Sequence, residues 1–448
     1  MQLDADACYR AVKTRDARFD GRFFTAVKTT GVYCRPICPA QTPKLQNCTF
    51  FACAAAAQEA GYRPCLRCRP EISPGLPAWN GTSTTISRAL RLISEGVMDQ
   101  GSVEDLAARL GIGDRHLRRL FDEHLGASPA AVANTRRFLF AKKLLTETAL
   151  PVGDIAYAAG FSSVRRFNDV MRAAYKRTPR ELRGKAGQAR GSTITLTLPY
   201  RPPYNWPAVM RFLAPRGIPG VEDITPEVYR RKWNGGQVEV QPVRGANHLI
   251  ARLELASVRD LGPIAECLRR FFDTDAPIDD IEEHLARDPR LAQTVKTNSG
   301  LRVPGAWDPF ELVVRAILGQ QVTVKGATTL AGRITSKFGC FPAPKVLAGA
   351  DLTTIGLPGA RAQTLRTVAG AFATTPNQTV EALRGLPGIG DWTAQYIAMR
   401  AFNEPDAFPA SDLGLIRAAG KDVAKRAEAW RPWRAYAAMH LWMEHSND

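Results

Sequence analysis

Seven of the nine cysteines (Cys8, Cys34, Cys38, Cys48, Cys53, Cys65 and Cys68) fall within the first 68 residues. The chain opens Met1-Gln2-Leu3-Asp4-Ala5-Asp6, without the basic and apolar regions of an export signal. A reducing compartment is therefore expected, where metal ligation is favoured over a disulfide framework. Spacing selects four of the thiols. Cys34-Arg35-Pro36-Ile37-Cys38 and Cys65-Leu66-Arg67-Cys68 are two turns, each able to offer the pair of thiolates that a tetrahedral zinc ion requires. One Zn2+ held by Cys34, Cys38, Cys65 and Cys68 is expected, at the centre of a small α+β unit. Cys8, Cys48 and Cys53 lack ligand spacing and read as small core or surface residues.

At 448 residues the chain exceeds the roughly 100–200 residues of one domain, so three or four compact units are expected. Hydrophobic content of 45% with 23% charged residues excludes a largely disordered or collagen-like polymer. No run of about 18 apolar residues occurs, so no membrane partner and a cytoplasmic location are expected. The 60 Lys and Arg against 43 Asp and Glu give a net charge of +17, the footprint of a polyanion binder, with nucleic acid the natural partner.

The segments Gly31-Val32-Tyr33-Cys34-Arg35-Pro36 and Gly61-Tyr62-Arg63-Pro64-Cys65-Leu66-Arg67-Cys68, within residues 5–72, closely resemble the N-terminal zinc domain of Ada-type methylation-response regulators. The resemblance implies that Cys34 takes a methyl group from a DNA methylphosphotriester once and irreversibly while remaining on the metal. Four thiolates around zinc carry a formal charge of −2, and methylating Cys34 leaves −1. The cluster then repels the DNA backbone less, and affinity for DNA should rise. Arg35, Arg63, Arg67 and Arg69 are expected to contact phosphate.

From Thr85 apolar residues recur at helical steps: Ile86, Leu90, Ile93 and Val97. A helix-turn-helix pattern then occurs twice. Ser102 caps the first copy, Gly111 marks its turn, and Asp114-Arg115-His116-Leu117-Arg118-Arg119-Leu120-Phe121 opens its basic second helix. In the second copy Val152 to Ala159 is the first helix, Gly160 the turn, and Ser162-Ser163-Val164-Arg165-Arg166-Phe167 starts the second helix. Residues 85–183 resemble the all-α AraC-type DNA-binding domain. Arg115, His116, Arg118, Arg119, Arg165 and Arg166 are the candidate DNA contacts.

Residues 184–191 are small, polar and basic and read as a linker. Thr193 to Leu198 alternates with period two, and strand-like runs near Val238–Val243 and His248–Leu255 suggest a mixed sheet with helices packed on it. Asp308-Pro309-Phe310-Glu311 starts a helix, with the acid at the capping-box position. Leu386-Pro387-Gly388-Ile389-Gly390-Asp391-Trp392-Thr393-Ala394 follows; Gly388 and Gly390 allow a tight turn that presents amides at a helix N-terminus, where a phosphate can sit. Beyond it comes Phe408-Pro409-Ala410-Ser411-Asp412-Leu413.

Together these motifs resemble the helix-hairpin-helix glycosylase superfamily and, from about Ile194 to His445, AlkA-type alkylpurine DNA glycosylases. The resemblance implies an α+β, TBP-like N-terminal domain before an all-α helix-hairpin-helix domain. It also implies Asp412 as the catalytic aspartate, and Phe212, Trp392, Tyr396 and Trp442 in an aromatic base slot. An N-alkylated purine is already a cationic leaving group, so one carboxylate that stabilises positive charge on the sugar suffices. The base must leave the duplex first, and an aromatic slot favours a cation by about 0.5–2 kcal/mol. Strand-cleaving relatives carry a Schiff-base lysine where this chain has Trp392, so a monofunctional enzyme is expected. Gln321 stands where the family's intercalating wedge is often leucine. No cysteine follows Cys340 to hold an iron–sulfur cluster, and no Pro-Cys-His-Arg motif for suicide repair of O-alkylguanine occurs.

The expected organisation is a zinc methyl-acceptor unit (1–78), a double helix-turn-helix unit (85–183), the linker, a mixed α/β unit (192–300) and a helix-hairpin-helix unit (301–448). The expected function is excision of 3-methyladenine-type bases joined to methylphosphotriester sensing and transcription activation. Partners would be alkylated and promoter double-stranded DNA and RNA polymerase, engaged by a monomer. Two alternatives stay open at this level: a regulator that binds damaged DNA without catalysis, and a glycosylase tethered by a purely structural zinc module.

Overall fold

The computed structural model describes residues 3–75, 84–183 and 193–445; the linker expected at 184–191 and residues 76–78 of the first unit lie outside them. In the first unit Asp4 caps α1 (Ala5–Thr14) by accepting from the Asp6 amide at 2.9 Å. Strands β1 (Phe24–Val27), β2 (Val32–Cys34) and β3 (Cys48–Phe51) precede α2 (Ala54–Glu59) and the short β4 (Arg63–Pro64). The sheet order is β3-β1-β2-β4, with β2 and β4 parallel. That pairing sets Tyr33, the residue before Cys34, beside Pro64, the residue before Cys65. Helix α2 buries Ala54 to Ala57.

The second unit runs through α3 (Thr84–Ser94), α4 (Val97–Gln100), α5 (Val103–Leu110), α6 (Asp114–Leu125), α7 (Pro129–Glu147), α8 (Val152–Ala158), α9 (Val164–Tyr175) and α10 (Pro179–Arg183). The helical pattern from Thr85 to Val97 is not one helix, because Gly96 at φ 86° breaks it. Ser102 and Asp105 form a capping box ahead of α5, and Gly111 (φ 71°) and Gly160 (φ 86°) make the two turns. Leu117, Phe121, Phe167 and Met171 are wholly buried, which turns the intervening arginines of α6 and α9 to solvent.

The third stretch begins with β5 (Ile194–Pro199) and α11 (Trp206–Leu213), then β6 (Glu222–Ile224), β7 (Tyr229–Trp233), β8 (Gly236–Pro242) and β9 (His248–Glu254). The order is β5-β9-β8-β7-β6, and every pairing is antiparallel. The sheet is thus not mixed: β6 to β9 form a meander through short turns, which needs no crossover. Helices α12 (Leu261–Phe271), α13 (Ile278–Leu285) and α14 (Pro289–Thr297) follow.

The helical lobe holds α15 (Pro309–Leu318), α16 (Val324–Phe338), α17 (Pro344–Ala348), α18 (Gly359–Thr374), α19 (Val380–Arg384) and α20 (Asp391–Ala401). The chain then returns through α21 (Leu413–Ala419), α22 (Val423–Arg426) and α23 (Arg434–His445). Residues of α15, α16, α18 and α20 form one core, whereas residues of α21 to α23 share a second core with α12 to α14 and the sheet. The division drawn at residue 300 therefore cuts through packed chain. Trp430 Nε1 donates to Asp288 Oδ2 at 2.6 Å across it.

The units are tied to one another. Lys142 Nζ of α7 donates to the buried Glu71 at 2.9 Å, and Arg22 pairs with Asp279 and Asp280 of α13. Glu147 of α7 accepts from the Thr197 amide of β5 at 3.0 Å, and Lys143 Nζ donates to the Thr197 carbonyl. Among the described residues no helix is long and apolar enough to cross a membrane.

Candidate functional site

The Sγ atoms of Cys34, Cys38, Cys65 and Cys68 lie within 4.8 Å of one another. Four sulfurs at about 2.3 Å from a tetrahedral zinc stand about 3.8 Å apart, so the cluster fits one ion bound by all four. The sulfurs differ in their surroundings. Cys68 Sγ accepts from the Arg35 amide at 3.3 Å and Cys65 Sγ from the Arg67 amide at 3.4 Å, and both residues are buried. Cys34 and Cys38 are partly exposed. Of the arginines expected at phosphate, Arg63 and Arg67 are exposed. Arg35 is not available: it is 7% exposed, its Nε donates to Asp20 Oδ1 at 2.8 Å, and its Nη1 donates to the Cys68 carbonyl at 3.1 Å. It braces the second metal turn instead. Arg69 is likewise taken by Glu71, Thr146 and Glu147. Cys8 and Cys53 are buried, and Cys53 Sγ caps α2 by accepting from the Ala56 amide at 3.4 Å.

On α6 the side chains of Arg115, His116, Arg118 and Arg119 are exposed, and on α9 so are Arg165 and Arg166. They are not equivalent. Arg118 donates to Glu104 at 2.8 Å and lies 3.6 Å from Asp114, and Arg119 contacts His116 Nδ1 at 3.2 Å.

Asp412 caps α21, and three donors converge on its carboxylate. Trp392 Nε1 reaches Oδ2 at 2.9 Å, Trp442 Nε1 reaches Oδ1 at 2.9 Å, and the Leu415 amide reaches Oδ1 at 3.1 Å. The site thus lies where α20 of the helical lobe meets α21 and α23 of the returning chain. Trp392 stacks on Tyr396 with centroids 5.4 Å apart, Tyr396 leans on Trp442 at 6.3 Å, and Trp442 stacks on Phe212 of α11 at 6.2 Å. All four residues of the expected slot come together, but as one closed pile. Two rings that sandwich a third stand about 7 Å apart, so none of these neighbouring pairs has room for another ring between them. Phe212 is 1% exposed and forms the buried end.

Behind the pile stand arginines that sequence reasoning missed. The guanidiniums of Arg216 and Arg400 lie 4.0 and 4.9 Å from the Phe212 centroid, and Arg400 Nη1 donates to the Tyr396 hydroxyl at 2.9 Å. Burial pushes the Tyr396 hydroxyl up, but Arg400, Arg216 and Arg315 outweigh it and hold the group below the ordinary tyrosine range. Arg400 follows Tyr396 by one helical turn, a spacing that could have exposed the pair.

Gly388 adopts φ 87°, and a Cβ there would fall 2.2 Å from Thr364 Oγ1, so only glycine fits; Gly390 is the N-cap of α20. Gln321 is exposed, at φ 56°, in the turn between α15 and α16. Its neighbour Gln320 fastens that turn to the hairpin, donating to the Gly388 carbonyl at 2.9 Å and to Thr393 Oγ1 at 3.0 Å. Glu311 does not complete a capping box; its carboxylate pairs with the buried Arg231 of β7 at 2.5 Å.

Four family models match in series: the metal binding domain of Ada at 7–71, a helix-turn-helix domain at 106–185, the AlkA N-terminal domain at 195–308, and the HhH-GPD superfamily base excision DNA repair protein at 314–432. The chain is 42% identical to a probable bifunctional transcriptional activator/DNA repair enzyme AlkA of Mycobacterium tuberculosis, over 99% of this chain and 98% of that protein. It is 36% identical to DNA-3-methyladenine glycosylase 2 of Escherichia coli over 55% of this chain and 96% of that one. It is 37% identical to the E. coli bifunctional transcriptional activator/DNA repair enzyme Ada over 29% of this chain and 35% of that one. With every unit matched in order and one relative matched end to end, the chain belongs to the bifunctional transcriptional activator/DNA repair enzyme family that joins an Ada-type zinc domain and helix-turn-helix reader to a DNA-3-methyladenine glycosylase.

Proposed function

We propose that Asp412 carries hydrolytic release of N-alkylated purines and that Cys34 is a single-use methyl acceptor. The convergence of Trp392, Trp442 and the Leu415 amide on Asp412 carries the first reading. A carboxylate held in place by three donors is positioned to stabilise positive charge developing on the deoxyribose as the bond from C1′ to the base nitrogen breaks. The electron pair leaves with the cationic base, which departs neutral, and water adds at C1′ with loss of a proton. With Trp392 in place of an amine, no Schiff base forms and the DNA strand stays intact.

The second reading rests on the contrast among the four sulfurs. Zinc, when bound, keeps all four thiols deprotonated at neutral pH. Amide hydrogen bonds draw charge from Cys65 and Cys68, whereas Cys34, partly exposed like Cys38, takes no such bond among the described residues, and the resemblance to the Ada-type zinc domain favours Cys34 of the two. A Cys34 S–C bond forms as the phosphotriester O–C bond breaks, and the phosphodiester leaves as its anion. The site loses one negative charge, and DNA held by the α6 and α9 arginines is repelled less. Promoter DNA and RNA polymerase are the partners in this reading, and the protein acts as a monomer. Incubation with methylated duplex DNA, followed by assay of free bases and of protein mass in one sample, tests both: released 3-methyladenine and a mass gain of one methyl group are expected. Base release without the gain leaves only a structural zinc.

A further inference from the structure

The donors around Asp412 can be counted. An ionised carboxylate has about four lone-pair positions, two on each oxygen. Trp442 and the Leu415 amide fill both on Oδ1, and Trp392 fills one on Oδ2. One position, on Oδ2, is left for the reaction.

We infer that the indole N–H groups of Trp392 and Trp442 are a positioning clamp for Asp412, and that Gly414 is the residue that lets the clamp close. This deepens the reading of Asp412 as the glycosylase carboxylate and rests on it. A Cβ at position 414 would stand 3.0 Å from Asp412 Oδ1, 3.3 Å from Trp442 Cδ1 and 3.5 Å from Trp442 Nε1. Any side chain there intrudes on the one hydrogen bond that joins α21 to the α23 indole. Glycine at 414 is not needed for backbone conformation, since it lies inside α21 and is absent from the positive-φ positions. Its role is space.

The clamp has a mechanical consequence. The rings that form the base-stacking pile are the same groups whose edges hold the carboxylate. A flipped base pressing on an outer face of the pile therefore sets the position of Asp412 relative to its own sugar. Trp392 and Trp442 act through Asp412 and are positioning residues. The open lone pair of Oδ2 holds the water that adds to C1′ and takes its proton, which passes on to solvent.

The test is single-turnover base release from methylated duplex DNA, with binding measured separately on an abasic duplex. Trp442→Phe keeps an aromatic face but removes the donor and should slow release about 10- to 100-fold, the size of a lost charge-assisted hydrogen bond. Gly414→Ala, which favours helix and so does not threaten the fold, should slow release to a similar degree. The double variant should be no slower than the worse single one within about twofold, because both changes break one contact. Abasic-duplex affinity should fall by less than the rate in each case. Wild-type release by Trp442→Phe, losses confined to affinity, or losses that multiply in the double variant would overturn the clamp. Undiminished release by Asp412→Asn would instead remove the reading beneath it.

Discussion

The two centres proposed to be reactive are built on opposite principles. At the front, Cys34, partly exposed like Cys38, accepts no backbone amide among the described residues, while Cys65 and Cys68 each accept one. At the back, Asp412 accepts three donors and keeps a single position open. A nucleophile is kept potent by withholding hydrogen bonds from it, since each donor draws off the charge that attacks. A carboxylate set opposite a forming cation gains fixed geometry from its donors. The supporting shells differ accordingly. Asp20 and Arg35 brace the metal turn from beneath without touching Cys34, whereas the indoles touch the acid itself.

That contrast can be broken or sharpened, beginning with the largest effect. Removing zinc by chelation should unfold the first unit, because a structural site of this class contributes about 10–16 kcal/mol to folding. Hydrogen exchange across residues 5–72 should rise while base release persists; parallel loss of both would show that the centres are not independent. Asp412→Asn should lower base release by about a thousandfold with DNA binding retained, and a small loss would break the comparison at its other end.

Asp20→Asn leaves Arg35 charged and buried, at a cost of about 3–5 kcal/mol, read as faster loss of zinc to a competing chelator; unchanged retention would mean that the brace is dispensable. On α23, burial pushes His440 down to about 4 from its ordinary 6.5. Its contribution is present above pH 6.5 and lost as pH falls through 4, about 3 kcal/mol in all. Asp273, pushed up to about 6 by burial, runs the other way and loses its contribution as pH rises. His440→Leu should therefore flatten the acid limb of unfolding free energy for the Asp412 region, and a profile parallel to wild type would exclude the assignment. Arg165→Ala or Arg166→Ala should each lower the slope of log affinity against log salt by about 0.9, with smaller losses for Arg118→Ala, already paired with Glu104.

What the sequence disclosed was local. Two cysteine pairs at short spacing define a metal site because a turn fixes where its thiols point, and Ser102 with Asp105 forms a cap within one helical turn. Asp412 stood out through its place after the hairpin. What it could not disclose depends on contacts far along the chain. Arg35 looks like any exposed arginine beside a metal turn until Asp20 is folded against it. Trp392 and Trp442 announce stacking by their rings, but which way an indole N–H turns is decided by packing. The return of α21 to α23 onto α12 to α14 leaves no mark in periodicity, so a division at residue 300 looked natural. The sheet was half legible: β5, β8 and β9 alternate in hydrophobicity, while β6 and β7 carry charges whose partners, such as Glu311 for Arg231, lie in other elements.

The bonds from Lys143 and Glu147 to Thr197 fall on the outer side of β5, the terminal strand of its five-stranded sheet. Unpaired strand borders invite strands from other molecules, and here α7 occupies the place such an intruder would take. A fragment that starts at residue 193 would therefore expose a sticky border that α7 covers in the whole protein, and should self-associate more readily than the full chain.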